Sequence, residues 1–293
     1  MRGFVPFVRT TPAPSEPIFI VAPPRSGSTI VFDLLNRSSA VTSLDRESHL
    51  MWEGVRKPTP VLGGSHALSA GDVRSVDRRA LHWAVGAICG PSRYLDKFPR
   101  HSLRVPYLRA IFPDAHFVFV RRDGRATVSS LITGWRSGRF GSPTLPQPPL
   151  AIRGFEGTLW QFARPPGWQS YTSGVSLEEV CAFQWVSTNE AALDASRSIP
   201  PEQWHDVAYE DLVRRPVEVA RELLDRLGLP LEEPVLDFAA SLSTHVSRVT
   251  VTRPEDSKWR HENPDEVERV LPMIAPTMIK LGYPDPRHHS ASS

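Results

Sequence analysis

The chain repeats one local pattern, in which a short apolar run is followed by a tight polar turn and an amphipathic stretch. Ile18 to Val21 is an apolar run rich in β-forming residues. The turn Pro23 to Ser28 follows it, and apolar residues at helical spacing then predict a helix from about Thr29. Strand, turn and helix in this order form the opening unit of a parallel α/β sheet.

The same pattern recurs along the chain. Further predicted strands are His116 to Val120, Trp204 to Tyr209 and a less regular candidate at Tyr94 to Phe98. A charged turn at Arg121 to Arg125 follows the first of these, and Pro216 opens a helix that Gly228 ends. We therefore expect an α/β fold, a P-loop-like parallel sheet flanked by helices on both faces.

Two regions depart from the pattern. Ser137 to Gly174 contains six prolines with Trp160 and Trp168 between them, and long structureless loops are usually functional or disordered. The aromatic residues favour an acceptor-site lid over residues 137–175, with a plain surface insertion as the alternative. Ser176 and Glu179 have capping-box spacing for the helix that follows.

Near the C-terminus, Val267 to Leu281 keeps helical spacing, but Pro272 and Pro276 lie within it and predict a kinked or broken helix. We divide the chain into a flexible leader (1–16), a single domain (17–285) and a disordered tail (286–293).

Composition narrows the class of protein. With 34 basic and 32 acidic residues the net charge is +2, which does not suit a protein that coats nucleic acid. Cys89 and Cys181 cannot form a disulfide framework, and we expect two buried thiols in a reducing compartment. There is no apolar run long enough to span a membrane, and the Pro-rich first residues do not resemble a secretion signal. We therefore expect a cytoplasmic protein.

The turn between the first strand and helix is suited to binding an anion. Backbone N–H groups and the positive end of the helix dipole converge there, and Gly27 permits close approach or a positive φ. Arg25 adds a cationic fork, and hydroxyls come from Ser26, Ser28 and Thr29. A Ser/Gly-rich turn that caps a helix without any ligand is the alternative. The ATP- and GTP-cleaving motif G-x-x-x-x-G-K-[ST] is not matched, because Ala22 and Ser28 occupy its glycine and lysine positions.

A second basic cluster, Arg121 to Arg125, follows another strand, and Ser129 and Ser130 come one to two helical turns later. Ligands of open α/β sheets bind at the carboxyl ends of the strands. An isolated arginine cluster is usually a solvated surface feature, but two basic, hydroxyl-rich strand ends suit a ligand with phosphates at two places.

These segments resemble the PAPS-dependent sulfotransferase family, in which PAPS is 3′-phosphoadenosine-5′-phosphosulfate and PAP is the product. Pro24 to Thr29 is similar to the family's 5′-phosphosulfate loop, and Phe112 to Ser130 is similar to its 3′-phosphate segment. Tyr209 to Leu212 resembles the segment whose tyrosine packs near the adenine, and Ser257 to Arg260 resembles a C-terminal stretch that closes over the cofactor. The resemblance spans residues 18 to about 283. It implies that the donor is held by Arg25, Ser26, Gly27, Ser28, Thr29, Arg122, Ser130, Tyr209, Lys258, Trp259 and Arg260.

The resemblance also implies an in-line, metal-free transfer to a hydroxyl, with Arg25 stabilising the leaving phosphate and Lys97 facing the sulfuryl group. Arg25 as a phosphate anchor only, and Lys97 as a surface lysine, are the alternatives. The pattern is closer to the tyrosylprotein and carbohydrate types than to the cytosolic type, whose K-T-H histidine is missing after Lys97. Glu47 is the best match for the general base, with His49 and His101 as alternatives.

Two other functions stay open at this stage. One is a P-loop kinase-like transferase, and the other is a non-catalytic protein that holds PAP or another anion. The acceptor, a small molecule or a polymer, cannot be identified from these residues.

Overall fold

The computed structural model describes residues 14–44, 48–55, 64–141, 147–242 and 258–288. The strands are β1 (Ile18–Val21), β2 (Val41–Thr42), β3 (Arg93–Lys97), β4 (His116–Arg121), β5 (Ala151–Arg153), β6 (Ser173–Ser176) and β7 (Trp204–Ala208). The helices are α1 (Ser28–Leu35), α2 (His49–Val55), α3 (Ser75–Cys89), α4 (Val105–Ile111), α5 (Gly124–Arg136), α6 (Leu177–Ser196), α7 (Tyr209–Arg214), α8 (Pro216–Leu227), α9 (Glu233–Ser241), α10 (Trp259–Glu262) and α11 (Pro264–Lys280).

Five strands form a central sheet in the order β2-β3-β1-β4-β7, and every pair in it is parallel. In the middle of the sheet Ile18 pairs with Leu95 on one side and His116 on the other. Because all five strands point the same way, their carboxyl ends lie along one edge. That edge carries the turn Pro23 to Ser28, which we call the phosphate-binding turn after its predicted role, and the second basic cluster.

Alternation along the strands sorts their side chains between two hydrophobic layers. Phe19 and Phe117 face the layer built by α3 to α6 and α11. Ile20 and Val118 face the layer built by α1 and α7 to α9. Both faces of the sheet are thus covered, and the predicted fold class is confirmed.

Element boundaries differ from the prediction by one residue at several places. Helix α1 begins at Ser28, one residue earlier than expected, and β7 ends at Ala208. Tyr209 therefore does not end the strand but opens α7, where Glu210 and Asp211 supply acidic residues to the first turn. Strand β3 ends before Phe98, which stays extended because Pro99 follows it.

The segment predicted as a structureless loop has structure of its own. Within it β5 and β6 form a short parallel pair, and a 3-10 turn covers Trp168–Tyr171. Trp160 and Trp168 are buried, and the Trp160 ring packs edge-on against Trp135 of α5. These aromatic residues therefore extend the core, although their proline-rich surroundings hid that role. The capping box of Ser176 and Glu179 is present, and it begins α6.

Of the predicted kink or break in the C-terminal helix, the break does not occur, since α11 runs from Pro264 to Lys280 with Pro272 and Pro276 inside it. The kink stays a prediction. Both prolines are exposed, so water can satisfy the backbone carbonyls that lose a helical partner. The predicted tail is also partly ordered, because Pro286–His288 forms a 3-10 turn. In the part of the chain that the structure describes, no helix is both long and apolar enough to cross a bilayer.

Candidate active site

The phosphate-binding turn has the geometry that its glycine predicts. Gly27 lies in the left-handed region (φ 91°, ψ 8°) immediately before α1. A Cβ at this position would also lie only 2.3 Å from Cδ2 of Tyr209. Both the left-handed backbone and the close approach of the Tyr209 ring therefore require glycine. The Ser26 hydroxyl next to it is buried and has no hydrogen-bond partner among the described residues. A buried hydroxyl without a hydrogen-bond partner lowers the stability of the folded protein, and an anion bound in the turn would accept a hydrogen bond from it.

The two basic strand ends meet in space. The Arg25 Nε donates to Ser130 Oγ at 3.1 Å, and Arg122 Nη1 donates to the Arg25 backbone carbonyl at 3.2 Å. The Arg122 guanidinium also lies over the Tyr209 ring, 4.2 Å from its centroid. Residues that follow β1, β4 and β7 thus converge on one spot at the carboxyl edge of the sheet.

Positive charge is concentrated around Arg25. Burial lowers the pKa of its guanidinium, and the nearby charges of Arg122 and Arg139 lower it further. The Phe140 ring lies 5.4 Å from the Arg25 guanidinium and stacks on Phe162. This part of the structure is therefore arranged to receive a ligand with more than one negative charge.

Lys97 lies on the strand next to the phosphate-binding turn. Its side chain is 6% exposed, and its Nζ donates to Thr29 Oγ1 at 3.3 Å. The surface-lysine alternative does not hold, because the ammonium group is directed to the start of α1.

Of the three candidate bases, His101 is enclosed in the core. Its Nε2 lies 2.8 Å from Asp96 Oδ2, and the ring is fully buried in a 3-10 turn rather than at the start of a helix. Rings of Phe19, Trp52 and Phe98 surround it at centroid distances of 5.1 to 5.5 Å. An acceptor hydroxyl cannot reach it in this arrangement.

Asp96 is the centre of a buried polar network. Its carboxylate accepts from Ser48 Oγ, from Trp52 Nε1 at 2.6 Å and from the His101 ring. The network joins the start of α2 to the strand end that carries Lys97. Glu47, the residue before Ser48, lies outside the described residues, and His49 is exposed at the start of α2.

The C-terminal candidates lie against α5. Helix α10 contains Trp259 and Arg260 and follows directly after Lys258, whose Nζ lies 3.7 Å from Glu262. The Trp259 ring lies 5.2 Å from the guanidinium of Arg125, in the first turn of α5. The segment that is predicted to close over the cofactor therefore borders the second basic cluster. Ser257 lies outside the described residues.

Sequence reasoning missed several residues that shape this region, among them Asp96, Phe140 and Asn263. Phe140 belongs to the Pro-rich segment, whose tryptophans drew attention away from it. Asn263, and Asp96 in its contacts with Ser48 and Trp52, act between distant parts of the chain, for which the local sequence carries no signal. Trp160 and Trp168 do not line the site, and the proposed acceptor lid stays a prediction.

No group of three or more His, Cys, Asp or Glu side chains that could hold a metal ion occurs among the residues described. The two cysteines, Cys89 and Cys181, are both buried with free thiols.

Comparison with known proteins identifies the family. The model of the sulfotransferase family matches residues 17–144 and 157–233. Protein-tyrosine sulfotransferase of Drosophila melanogaster is 25% identical over 288 residues, covering 91% of this chain and 51% of that protein. Protein-tyrosine sulfotransferase 1 of Danio rerio is 30% identical over 212 residues, covering 66% of this chain and 49% of that protein. The chain thus spans about half the length of these curated relatives.

Among solved structures, the sulfotransferase STF9 from Mycobacterium avium superimposes with a TM-score of 0.56 at 15% identity, covering 92% of this chain and 78% of that one. At that identity the likeness concerns the fold alone. The family model covers most of the chain and includes both strand ends that meet at Arg25 and Arg122. The chain therefore belongs to the sulfotransferase family.

Proposed function

We propose that this protein transfers a sulfuryl group from PAPS to a hydroxyl group of an acceptor. The observation that carries the proposal is the meeting of Arg25 and Arg122 at one edge of the sheet, beside the unsatisfied Ser26 hydroxyl. Such a site suits a nucleotide with anionic groups at both ends of its ribose. Family membership adds that sulfuryl transfer is the chemistry to test first.

Each end of the donor has its own set of residues. The turn Arg25 to Thr29 and the start of α1 would bind the 5′-phosphosulfate through backbone N–H groups and hydroxyls. Arg122 and Ser130 would bind the 3′-phosphate, and Tyr209 would pack near the adenine. Lys258, Trp259 and Arg260 would cover the nucleotide from the side of α5.

The transfer breaks the bond between sulfur and the bridging oxygen and forms a bond from the acceptor oxygen to sulfur. The electron pair of the broken bond stays on the 5′-phosphate of PAP, where the Arg25 guanidinium would stabilise the charge. Lys97 would stabilise the sulfuryl oxygens. The acceptor proton passes to a base, for which Glu47 is our choice, because His101 is enclosed and held by Asp96.

The curated relatives are named as protein-tyrosine sulfotransferases, so a tyrosine-containing peptide is the first acceptor to test. Small hydroxyl compounds and carbohydrates follow. A cytoplasmic location stays a prediction from sequence.

Calorimetric titration with PAP tests the donor site directly. Loss of a charge-assisted contact costs about 1.5 to 3 kcal/mol, so Arg122→Ala should weaken PAP binding about 10- to 150-fold. Arg121→Ala is a matched control, since it removes the same charge but its guanidinium donates to the Leu281 carbonyl. Equal PAP affinity in wild type and Arg122→Ala would refute the donor site. Stabilisation by MgATP without any by PAP would favour a kinase-like enzyme.

A second experiment separates catalysis from binding. With PAPS and an accepted hydroxyl compound, Glu47→Gln and Lys97→Ala should lose transfer while PAP still binds. If both variants transferred at the wild-type rate, a non-catalytic role for these residues would follow.

A further inference from the structure

Asn263 lies between α10 and α11, and its side chain does not cap the helix that follows it. It precedes the first residue of α11, a position where asparagine commonly caps the helix. Its side chain nevertheless makes no capping hydrogen bond, and its backbone (φ −146°, ψ 54°) turns the chain sharply between the two helices. The residue is only 2% exposed. Its amide must therefore be satisfied elsewhere.

The amide is satisfied by one face of α5. Its Oδ1 accepts from Arg136 Nη1 at 2.9 Å. Its Nδ2 donates to Ser129 Oγ at 2.9 Å, with longer contacts to the Ser129 carbonyl at 3.3 Å and to Thr133 Oγ1 at 3.4 Å. Positions 129, 133 and 136 follow one another at helical spacing, so a single side chain spans about two turns of α5.

The same face of α5 contacts α10 at a second point. Arg125, four residues before Ser129, lies against the Trp259 ring at 5.2 Å. The Arg125 guanidinium is itself held by Asp123, with Nη2 to Oδ2 at 2.6 Å. The four-residue helix α10 is thus held to α5 at its beginning through Trp259 and just beyond its end through Asn263.

The neighbouring face of α5 belongs to the donor site. Ser130 follows Ser129 by one residue, which is a rotation of about 100° around the helix. Ser130 accepts from Arg25 Nε, whereas Ser129 accepts from Asn263. One turn of α5 therefore joins the phosphate-binding turn on one side to α10 on the other.

From this geometry we infer that Asn263 is a positioning residue for the donor: it docks Lys258, Trp259 and Arg260 on α5, beside Arg122 and Ser130. The inference rests on the proposed function, because the ligand that this segment would cover is PAPS or PAP. Asn263 itself does not touch the donor in this role, and it acts through the place that it gives to α10.

The test compares Asn263→Leu with two other variants. Leucine has a similar volume and no hydrogen bonds, and no helix cap is lost because Asn263 forms none. Asn263→Asp keeps the acceptor for Arg136 and replaces the amide donor by a carboxylate oxygen, to which the Ser129 hydroxyl can donate after rotation. Thr277→Val is the stability control, since it removes a buried side-chain hydrogen bond, Oγ1 to Glu190 Oε1 at 2.7 Å, from the other end of α11.

PAP affinity, measured by calorimetry, is the first readout. If loss of the amide contacts leaves α10 docked only a tenth of the time, Asn263→Leu should bind PAP about tenfold more weakly. Asn263→Asp should stay within about threefold of wild type, and Thr277→Val should bind as wild type does. Unchanged PAP affinity in Asn263→Leu would overturn the inference, and so would equal weakening in Thr277→Val.

Hydrogen–deuterium exchange of the ligand-free protein is the second readout. The amides of His261 and Glu262 donate to the Lys258 carbonyl, and that of Asn263 donates to Trp259. Asn263→Leu should speed exchange in the peptide spanning residues 258–263, and Thr277→Val should not. If wild type fails to bind PAP, the proposed function fails, but faster exchange in this peptide would still support the docking role. Unchanged exchange would refute it.

Discussion

Gly27 makes the sharpest stability prediction, because the structure separates two reasons why this residue must be glycine. Its backbone is left-handed, and a Cβ there would lie 2.3 Å and 2.6 Å from two ring carbons of the buried Tyr209. Left-handed backbone costs an L-residue about 1 to 2 kcal/mol. Forcing the ring aside adds about 1 to 3 kcal/mol, as overpacking does in a close-packed core. Gly27→Ala should therefore lower the free energy of unfolding by about 2 to 5 kcal/mol.

Gly167 is the matched control for the backbone part. Its φ of 80° and ψ of 2° are close to those of Gly27, but a Cβ there would meet nothing within 4 Å. Gly167→Ala should cost only the backbone share, about 1 to 2 kcal/mol. Urea unfolding, monitored by circular dichroism with equal slopes for all variants, measures both free energies.

A double-mutant cycle tests the role of the ring. In Gly27→Ala/Tyr209→Ala the contact is gone, so the cost of the alanine should fall by the steric share of about 1 to 3 kcal/mol. If Gly27→Ala cost no more than Gly167→Ala, or if the cycle showed no coupling, close approach of Tyr209 to the turn would not be the reason for Gly27.

Three further outcomes are expected. Asp96→Ala leaves the buried donors of Asp96 without their carboxylate acceptor and should lower the free energy of unfolding by about 3 to 5 kcal/mol. Asp194→Ala, which breaks an exposed ion pair, should lower it by less than about 1 kcal/mol in the same urea assay. Burial raises the pKa of Cys181 well above its usual value and that of Cys89 to a lesser degree, so a thiol reagent at pH 8 should label neither in the folded protein and both in urea; rapid labelling of folded Cys181 would contradict this. Burial and nearby positive groups lower the pKa of His205 to about 4, so the unfolded chain binds more protons than the folded protein between about pH 4 and 6.5. The free energy of unfolding should therefore decrease as the pH is lowered from about 6.5 to 4, and it should decrease less steeply in His205→Gln.

The sheet could be predicted from sequence because its signals are local. Ile18 to Val21 and His116 to Val120 are apolar along their whole length, as strands buried on both faces must be. The ends of the elements are predicted less accurately. Tyr209, for example, favours a strand by its own propensity, but it begins a helix because of the residues that follow it. The buried Trp160 and Trp168 could not be placed, because prolines mask periodicity and only the fold shows that Trp160 packs on Trp135 of α5 and Trp168 on Trp160.

The meeting of Arg25 and Arg122 could be predicted for a related reason. Arg25 and Arg122 each follow a buried strand, and parallel strands bring such residues to one edge. The roles of Asp96 and Asn263 could not be predicted in this way. Besides His101, five residues on, Asp96 contacts Ser48 and Trp52, which are 48 and 44 residues away. The partners of Asn263 on α5 are 127 to 134 residues away. Their roles depend on which helices pack together, and that is decided by the whole fold.

The crowding of guanidinium groups around Arg25 has a consequence for the ligand-free protein. Like charges held close together repel one another, and the charges of Arg122 and Arg139 add to burial in lowering the pKa of Arg25. This edge of the sheet is thus less favourable empty than filled, and a polyanion that neutralises Arg25, Arg122 and Arg139 would recover the difference on binding. Removing one of these charges should raise the free energy of unfolding of the ligand-free protein and weaken its binding of a polyanion, as in the general trade-off between stability and activity.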